Sequence, residues 1–200
     1  MCFVRKSSCG YLLATVIFVC FLTAPRVGSA AVVKTVDNHG TWSLLGGYGF
    51  THPGMGKTKK WVETVDLIFQ HEQVLIDQIG SSWYQGRHSL LVELPVYLVV
   101  DPVLEPMVAL NFLACWTFTA NDESLPYVFG GGGPLYTDAE IQGMGAHLNG
   151  NYLFGAGLRY KIRGDRYLKF EYRFNHISNG GRKDPNDPLN SSKILFGITF

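Results

Sequence analysis

The sequence predicts an all-β protein, an eight-stranded antiparallel β-barrel that spans a membrane and follows a cleaved signal peptide. Three observations carry this. Hydrophobicity repeats with a period of two from Trp42 to Phe200. The apolar faces so defined are uniform and aromatic, whereas the opposite faces mix glycine with charges of both signs. Finally, 46% of the 200 residues are hydrophobic and only 16% are charged, against about 25% in ordinary soluble domains. Yet no apolar run after residue 30 is long enough for a spanning helix.

Residues 1–30 are expected to be the signal peptide and 31–200 the barrel. Arg5 and Lys6 make a positive start, Tyr11 to Thr23 a short apolar run, and Gly28-Ser29-Ala30 a small-residue cleavage site. The run is too short for a permanent anchor helix. Cys20 follows Ile17-Phe18-Val19 rather than a small residue, which argues against lipidation. Cleavage removes three of 17 basic residues and none of 16 acids, leaving 14 against 16 and a net charge of −2. It also removes Cys2, Cys9 and Cys20. Cys115 alone then remains, so neither an intrachain disulfide nor a cysteine-rich zinc site can form. A net charge of +1 over the whole chain offers no basic patch for nucleic acid.

The strands are read in order. Residues 42–51 and 61–70 are weak candidates. Leu90 to Val100 alternates with Glu93 and Tyr97 on its mixed face, and Pro95 should mark a bulge or an unpaired position. Val108 to Phe118 alternates most clearly. Residues 126–136 are weaker, with Gly130 to Gly133 thinning the strand so that neighbours can approach. A phosphate loop is excluded there, because no Lys-Ser/Thr and no helix follow. Tyr152, Phe154, Ala156, Leu158 and Tyr160 define the next strand. Leu168, Phe170, Tyr172 and Phe174 define another, and Ile194, Phe196, Ile198 and Phe200 the last. Turn-rich pieces such as Asp101-Pro102, Asn121-Asp122 and Arg163-Gly164-Asp165 separate them.

Alternation does not say which face is inside. A sandwich or lipocalin puts the apolar face in the core, a membrane barrel turns it to lipid. Uniform apolar faces with Trp or Tyr near their ends fit an aromatic girdle, and charges of both signs suit a narrow, cross-linked lumen. The aromatic end of the last strand resembles the assembly signal of bacterial outer-membrane barrels. Eight strands of about ten residues fit within residues 31–200. The lumen network is expected to comprise Glu93, Glu171, Arg173, Arg159 and Lys161, and His71-Glu72 to be a rim pair rather than a metal site.

The segment from Phe174 to Asn190 carries the candidate chemistry. His176 and Ser178 are two apart, so they share a strand face with Cβ atoms about 6.6 Å apart. That face is the apolar one of Phe174, Tyr172, Phe170 and Leu168, where polar residues are costly. Counting back from Phe200 by twos reaches Ser192 and Asn190 on the same outward parity of the neighbouring strand. His176, Ser178 and Asn190 therefore converge at one rim of the outer wall, the arrangement of a serine-hydrolase site turned toward lipid. Against this stands the ease with which one His-x-Ser arises by chance at a strand end.

His176-x-Ser178-Asn179 followed by Pro185-Asn186-Asp187, in a hairpin ending at Phe200, resembles the lipid A 3-O-deacylase family. Pro126 to Thr137 is similar to that family's glycine-rich middle strand, and the resemblance covers roughly residues 42–200. It implies an eight-stranded barrel in the bacterial outer membrane that removes an ester-linked acyl chain from lipid A, without metal or organic cofactor. It assigns Ser178 as nucleophile and His176 as general base. The family's third member is an acid, and that position falls on Asn190. Asparagine can accept from the imidazole N–H but brings no charge. Asp184 or Asp187 would be the substitute acid. Asn179, Asn186 and the Gly181 N–H are the candidate oxyanion or substrate-binding donors, with a plain strand exit as the alternative for Asn179-Gly180-Gly181. The expected partner is lipid A or a related membrane lipid, and homo-oligomerisation is left open. The rival reading is a structural or adhesive barrel whose hydrolase site has decayed at Asn190. A third is a soluble lipocalin-like carrier with the alternation inverted.

Overall fold

A computed structural model of the chain describes residues 40–200. The expected signal peptide, with its boundary at residue 30, lies outside the described residues. The described residues form nine strands: β1 Thr41–Thr51, β2 Glu63–Ile79, β3 Gly86–Asp101, β4 Glu105–Ala109, β5 Asn111–Phe118, β6 Ser124–Thr137, β7 Leu148–Arg163, β8 Arg166–Ser178 and β9 Leu189–Thr199. All pairings are antiparallel between neighbours, and β9 returns to β1 through Ser43↔Thr199 to Thr51↔Ser191. The sheet thus closes on itself. β4 and β5 both lie between β3 and β6, so the ring has eight staves, one of them interrupted.

The run expected as a single strand over Val108–Phe118 is where the interruption falls, at Leu110. The register is the same on both sides, with Val96↔Val108 and Glu93↔Asn111 on one flank and Ala109↔Leu135 and Phe112↔Gly132 on the other. That register sets Pro95 against Ala109 and Pro134 against Leu110. Neither proline has an N–H for the ladder. The expected disturbance at Pro95 therefore appears as an unpaired position in the facing strand. It is not a bulge in β3, which runs unbroken from Gly86 to Asp101 and keeps Ile68↔Pro95 on its other side. Leu110 retains one bond, its N–H to the Pro134 carbonyl at 3.1 Å.

Next to this break the glycine run brings strands close. A Cβ on Gly132 would lie 2.3 Å from the Asn151 carbonyl oxygen, and one on Gly133 would lie 1.8 Å from that of Leu110. Backbone, not a movable side-chain tip, fills both places. Gly133→Val is therefore expected to destabilise the barrel by about 1–3 kcal/mol, the usual cost of overpacking. The midpoint of urea unfolding in detergent measures it, and an unchanged midpoint refutes the close approach.

The two faces of the sheet settle its orientation. Phe154 and Phe196, on one face, are each 63% exposed, and Leu168, Phe170, Tyr172 and Ile194 share that exposed side. Glu93, Glu171 and Arg173, on the other, are completely buried. The apolar side looks outward, as in a membrane barrel and opposite to a lipocalin. Exposed aromatics stand at both ends of the ring, with Trp61, Tyr136 and Tyr152 at one and Trp42, Trp83 and Tyr160 at the other.

Inside, long charged side chains cross-link the staves. Arg173 donates twice to Glu93, at 2.8 Å each, and through Nε to Glu171 at 2.7 Å. Tyr127 donates to Glu171 at 2.6 Å and Gln70 to Glu93 at 2.6 Å, while Lys169 bonds Gln70 and lies 3.3 Å from Glu171. Lys193 pairs with Asp66 at 2.7 Å, and Arg159 with Glu72 at 2.6 Å. Two expectations are corrected. Lys161 follows the inward parity but lies exposed at the end of β7. His71 and Glu72 form no rim pair: Glu72 is buried in the lumen on Arg159, while the His71 ring lies on the opposite face, 4.4 Å from that of Trp42. Among the described residues no cluster of His, Cys, Asp or Glu could hold a metal ion.

Leu45, Tyr97, Val99, Met107, Leu135, Ile177 and Leu189 form an apolar plug in the half of the lumen near the long loops. Connections 52–62, 138–147 and 179–188 are long and open at that end. The opposite end has 80–85, 119–123 and the two-residue turn 164–165.

Candidate functional site

β8 delivers His176 and Ser178 to the outer wall at the long-loop end, and β9 sets Asn190 directly across from His176 in the ladder. The pairing follows from the hairpin register, which runs without a shift from Leu168↔Ile198 to Ile177↔Leu189. His176 Nδ1 lies 2.7 Å from Asn190 Oδ1, and Nε2 lies 3.2 Å from Ser178 Oγ. The three residues singled out in the sequence are thus in one hydrogen-bonded line. His176 and Ser178 are half-buried and Asn190 is buried. On the β7 side Tyr152 pairs with His176, its ring 6.5 Å away, and Gly150 pairs with Ser178. The place that a Cβ on Gly150 would take is filled by the Tyr152 ring, 2.8 Å away.

The 179–188 connection begins with Gly180 and Gly181 at φ of +67° and +76°, a left-handed exit that glycine enters without strain. Asn179 holds this turn together. Its Oδ1 accepts the Gly181 N–H at 2.9 Å and its Nδ2 donates to the Lys183 carbonyl at 2.7 Å. The Asn179 side chain and the Gly181 N–H are therefore engaged with the turn itself. Asn186 accepts the Asn179 N–H through Oδ1 at 3.0 Å, which keeps its two Nδ2 hydrogens out of that bond. Of the three donors named from the sequence, Asn186 is the one whose donor group the turn does not use. Asp187 lies 2.9 Å from Lys59, and the imidazole N–H that a substitute acid would need is held by Asn190.

An open cleft of about 1060 Å³ lies between the 179–188 connection and the 52–62 connection, lined by Gly54, Lys57, Thr58 and Lys59 on one side and Asp184 and Asn186 on the other. The residues of 52–62 escaped the sequence reading. Thr58, 132 positions from Asn190, bonds both its backbone N–H and its Nδ2, at 3.0 and 2.9 Å. No local pattern signals such a contact. His52 was also missed, although parity could have found it, and Ser192 and Tyr172 were placed on the outward wall without a role. His52 continues the outward series of β1, and Ser192 lies on the outward series of β9. His52 Nε2 is 2.8 Å from Ser192 Oγ, which is 2.7 Å from the Tyr172 hydroxyl, and the His52 ring stacks on Phe174.

A family model described as lipid A 3-O-deacylase (PagL) matches residues 44–199. Among solved structures, the outer membrane enzyme PagL is similar at 16% identity, with a TM-score of 0.53 over 80% of this chain and 98% of that one. Neisserial surface protein A is similar at 12% identity, with a TM-score of 0.61 over 80% and 95%. At those identities the two structures speak for the fold, an outer-membrane β-barrel. No curated protein matches the sequence.

Proposed function

The chain belongs to the lipid A 3-O-deacylase family, and on that premise we propose that it hydrolyses an ester-linked acyl chain of lipid A, using Ser178, His176 and Asn190 on its lipid-facing wall. The observation that carries this reading is the line Asn190 Oδ1–His176–Ser178 Oγ, with distances of 2.7 and 3.2 Å, at the head of the outward apolar stripe of Tyr172, Phe170 and Leu168. In outer-membrane barrels the long loops are extracellular, so the site stands where the ester region of a lipid in the outer leaflet would lie.

Ser178 Oγ attacks the ester carbonyl carbon while its proton passes to His176 Nε2. Asn190 Oδ1 accepts the Nδ1–H and so holds the ring in the tautomer that leaves Nε2 free. The carbonyl oxygen becomes an oxyanion, and the Asn186 Nδ2 hydrogens supply the charge-stabilising donor. Collapse expels the sugar alkoxide, which takes the proton from Nε2. Water then attacks the acyl-serine by the same route and releases the fatty acid. The long acyl chain stays against the outward apolar stripe of Tyr172, Phe170 and Leu168, so the bilayer itself serves as the binding pocket.

Incubating the detergent-folded protein with purified lipid A and weighing the products by mass spectrometry tests this directly. The expected result is loss of the mass of one acyl chain. Asn186→Ala should lower kcat by about 10²–10³, the usual cost of removing an oxyanion donor. Lipid A left intact by the folded wild-type protein refutes the reading and favours the structural or adhesive barrel.

A further inference from the structure

An asparagine in place of the acid poses a problem of direction. The two ends of a carboxamide are unlike, and only one of them suits a general base. With Oδ1 toward Nδ1, the imidazole is protonated on Nδ1 and Nε2 can take the serine proton. With Nδ2 toward Nδ1 the tautomer reverses, Nε2 carries the hydrogen and the base is lost.

We infer that Thr58 and the backbone carbonyl of Met55, both in the 52–62 connection, are the positioning groups that fix the Asn190 carboxamide in the productive sense and make the site specific for an amide at this position. The inference rests on the catalytic reading above for its consequence in activity, but not for its geometry.

The hydrogen count is closed. Thr58 Oγ1 donates its single hydrogen to the Pro188 carbonyl at 2.8 Å, and a carbonyl oxygen only accepts. The hydroxyl therefore turns lone pairs alone toward Asn190, where they receive the backbone N–H at 3.0 Å and one Nδ2 hydrogen at 2.9 Å. The Met55 carbonyl, again only an acceptor, receives the other Nδ2 hydrogen at 3.1 Å. Reversing the amide would set Oδ1 against two acceptors in a site where Thr58 is 2% exposed and Asn190 8%. So Oδ1 is directed to His176 Nδ1, 2.7 Å away, and Nδ1 must carry the hydrogen.

The clamp is itself anchored. The Thr58 N–H donates to the Met55 carbonyl at 3.1 Å, and the Gly54 N–H to the Thr58 carbonyl at 2.9 Å. The His52 N–H donates to the Asn190 carbonyl at 2.8 Å, and the His52 ring bonds Ser192. The loop is thus tied to the outer edge of β9 on both sides of Asn190.

A carboxylate at position 190 would meet the same two acceptors at 2.9 and 3.1 Å. The site is accordingly built around the amide, which is the reverse of what a decayed acid position would leave. Asn190→Asp should lower kcat, and Asn190→Glu should restore nothing.

The tautomer of His176 tests this without reference to activity. Nitrogen-15 NMR of the histidine-labelled, detergent-folded protein, with His176→Ala to assign the signals, distinguishes a proton on Nδ1 from one on Nε2. The expected result is the Nδ1–H form in the wild type, a shift toward Nε2–H in Thr58→Val, and return to Nδ1–H in Thr58→Ser, which keeps the hydroxyl. In the lipid A assay Thr58→Val should lose tenfold or more in kcat, with about 10⁴ as the ceiling that a wrong tautomer imposes on serine proteases. An Nε2–H wild type overturns the inference, as does a folded Thr58→Val with an unaltered tautomer or an Asn190→Asp variant with raised kcat. The wild-type measurement and Asn190→Asp decide the matter even where Thr58→Val fails to fold. The expected tautomers in a wild type that leaves lipid A intact support the clamp while refuting the catalytic reading.

Discussion

Ser178→Ala is expected to reduce fatty-acid release from lipid A to the level of the residual site, a loss of at least about 10³ in kcat and up to about 10⁶. Removing the hydroxyl deletes the atom that forms the bond, and neither Ser191 nor Ser192 can replace it. Ser191 follows the inward parity on β9, and Ser192 is buried beneath His52 and Tyr172. His176→Ala should fall to the same floor, because a nucleophile without its base and a base without its nucleophile are equally idle. The double variant should fall no further, since residues that act as one unit are not additive. Both positions face lipid at the end of β8 and contribute little to the lumen. The variants should therefore fold as the wild type does, with unchanged heat-modifiable migration in gels. Release of fatty acid at the wild-type rate by either folded variant removes the proposed mechanism.

Arg173→Met is expected to have the largest effect on stability. Arg173 is fully buried and stands between Glu93 and Glu171, both fully buried as well. Its guanidinium makes two bonds to one carboxylate and bonds the other. Methionine matches much of its bulk but leaves two carboxylates facing each other across a narrow lumen, with Lys169, Gln70, Tyr127 and Asn111 as their remaining partners. Breaking a buried charge network by removing one member costs about 3–5 kcal/mol. Urea unfolding followed by tryptophan fluorescence measures the loss. Arg173→Lys should rescue only part of it, because an ammonium does not reproduce the bidentate fork. Replacing Arg173, Glu93 and Glu171 together by apolar residues of similar size should return most of the stability, since no unpaired charge then remains. An Arg173→Met barrel as stable as the wild type would show that the lumen charges do not hold the staves together.

Much of the candidate site was legible because strand geometry converts sequence spacing into direction. Two residues apart means the same face, so Ser178, His176 and the stripe down to Leu168 had to share a wall, and counting back from Phe200 had to put Asn190 on it too. The hairpin register then brought His176 opposite Asn190. The clamp had no such signature. Thr58 and Met55 reach Asn190 through an irregular loop more than 130 residues away in sequence, and period-two reasoning ends where the strands do. Parity reached Ser192 and could have reached His52, but nothing in the spacing joins two polar residues on strands 140 positions apart.

Alternation in the sequence alone determined an all-β chain, its eight staves and the identity of the two faces, because side chains on a pleated strand have no choice but to alternate. Uniform apolar content on one face then fixed it as the outward one, for charges of both signs can be held only where they pair away from lipid. What tertiary structure decided was everything that depends on partners brought together by ring closure. It placed Glu72 on Arg159 inside the lumen and left Lys161 outside. It turned Pro95 and Pro134 into a gap at Leu110 in the strand between them. It also gave the Asn190 amide its direction, because a carboxamide is oriented by whichever donors and acceptors surround it, and here those come from a loop between the first two strands of the barrel.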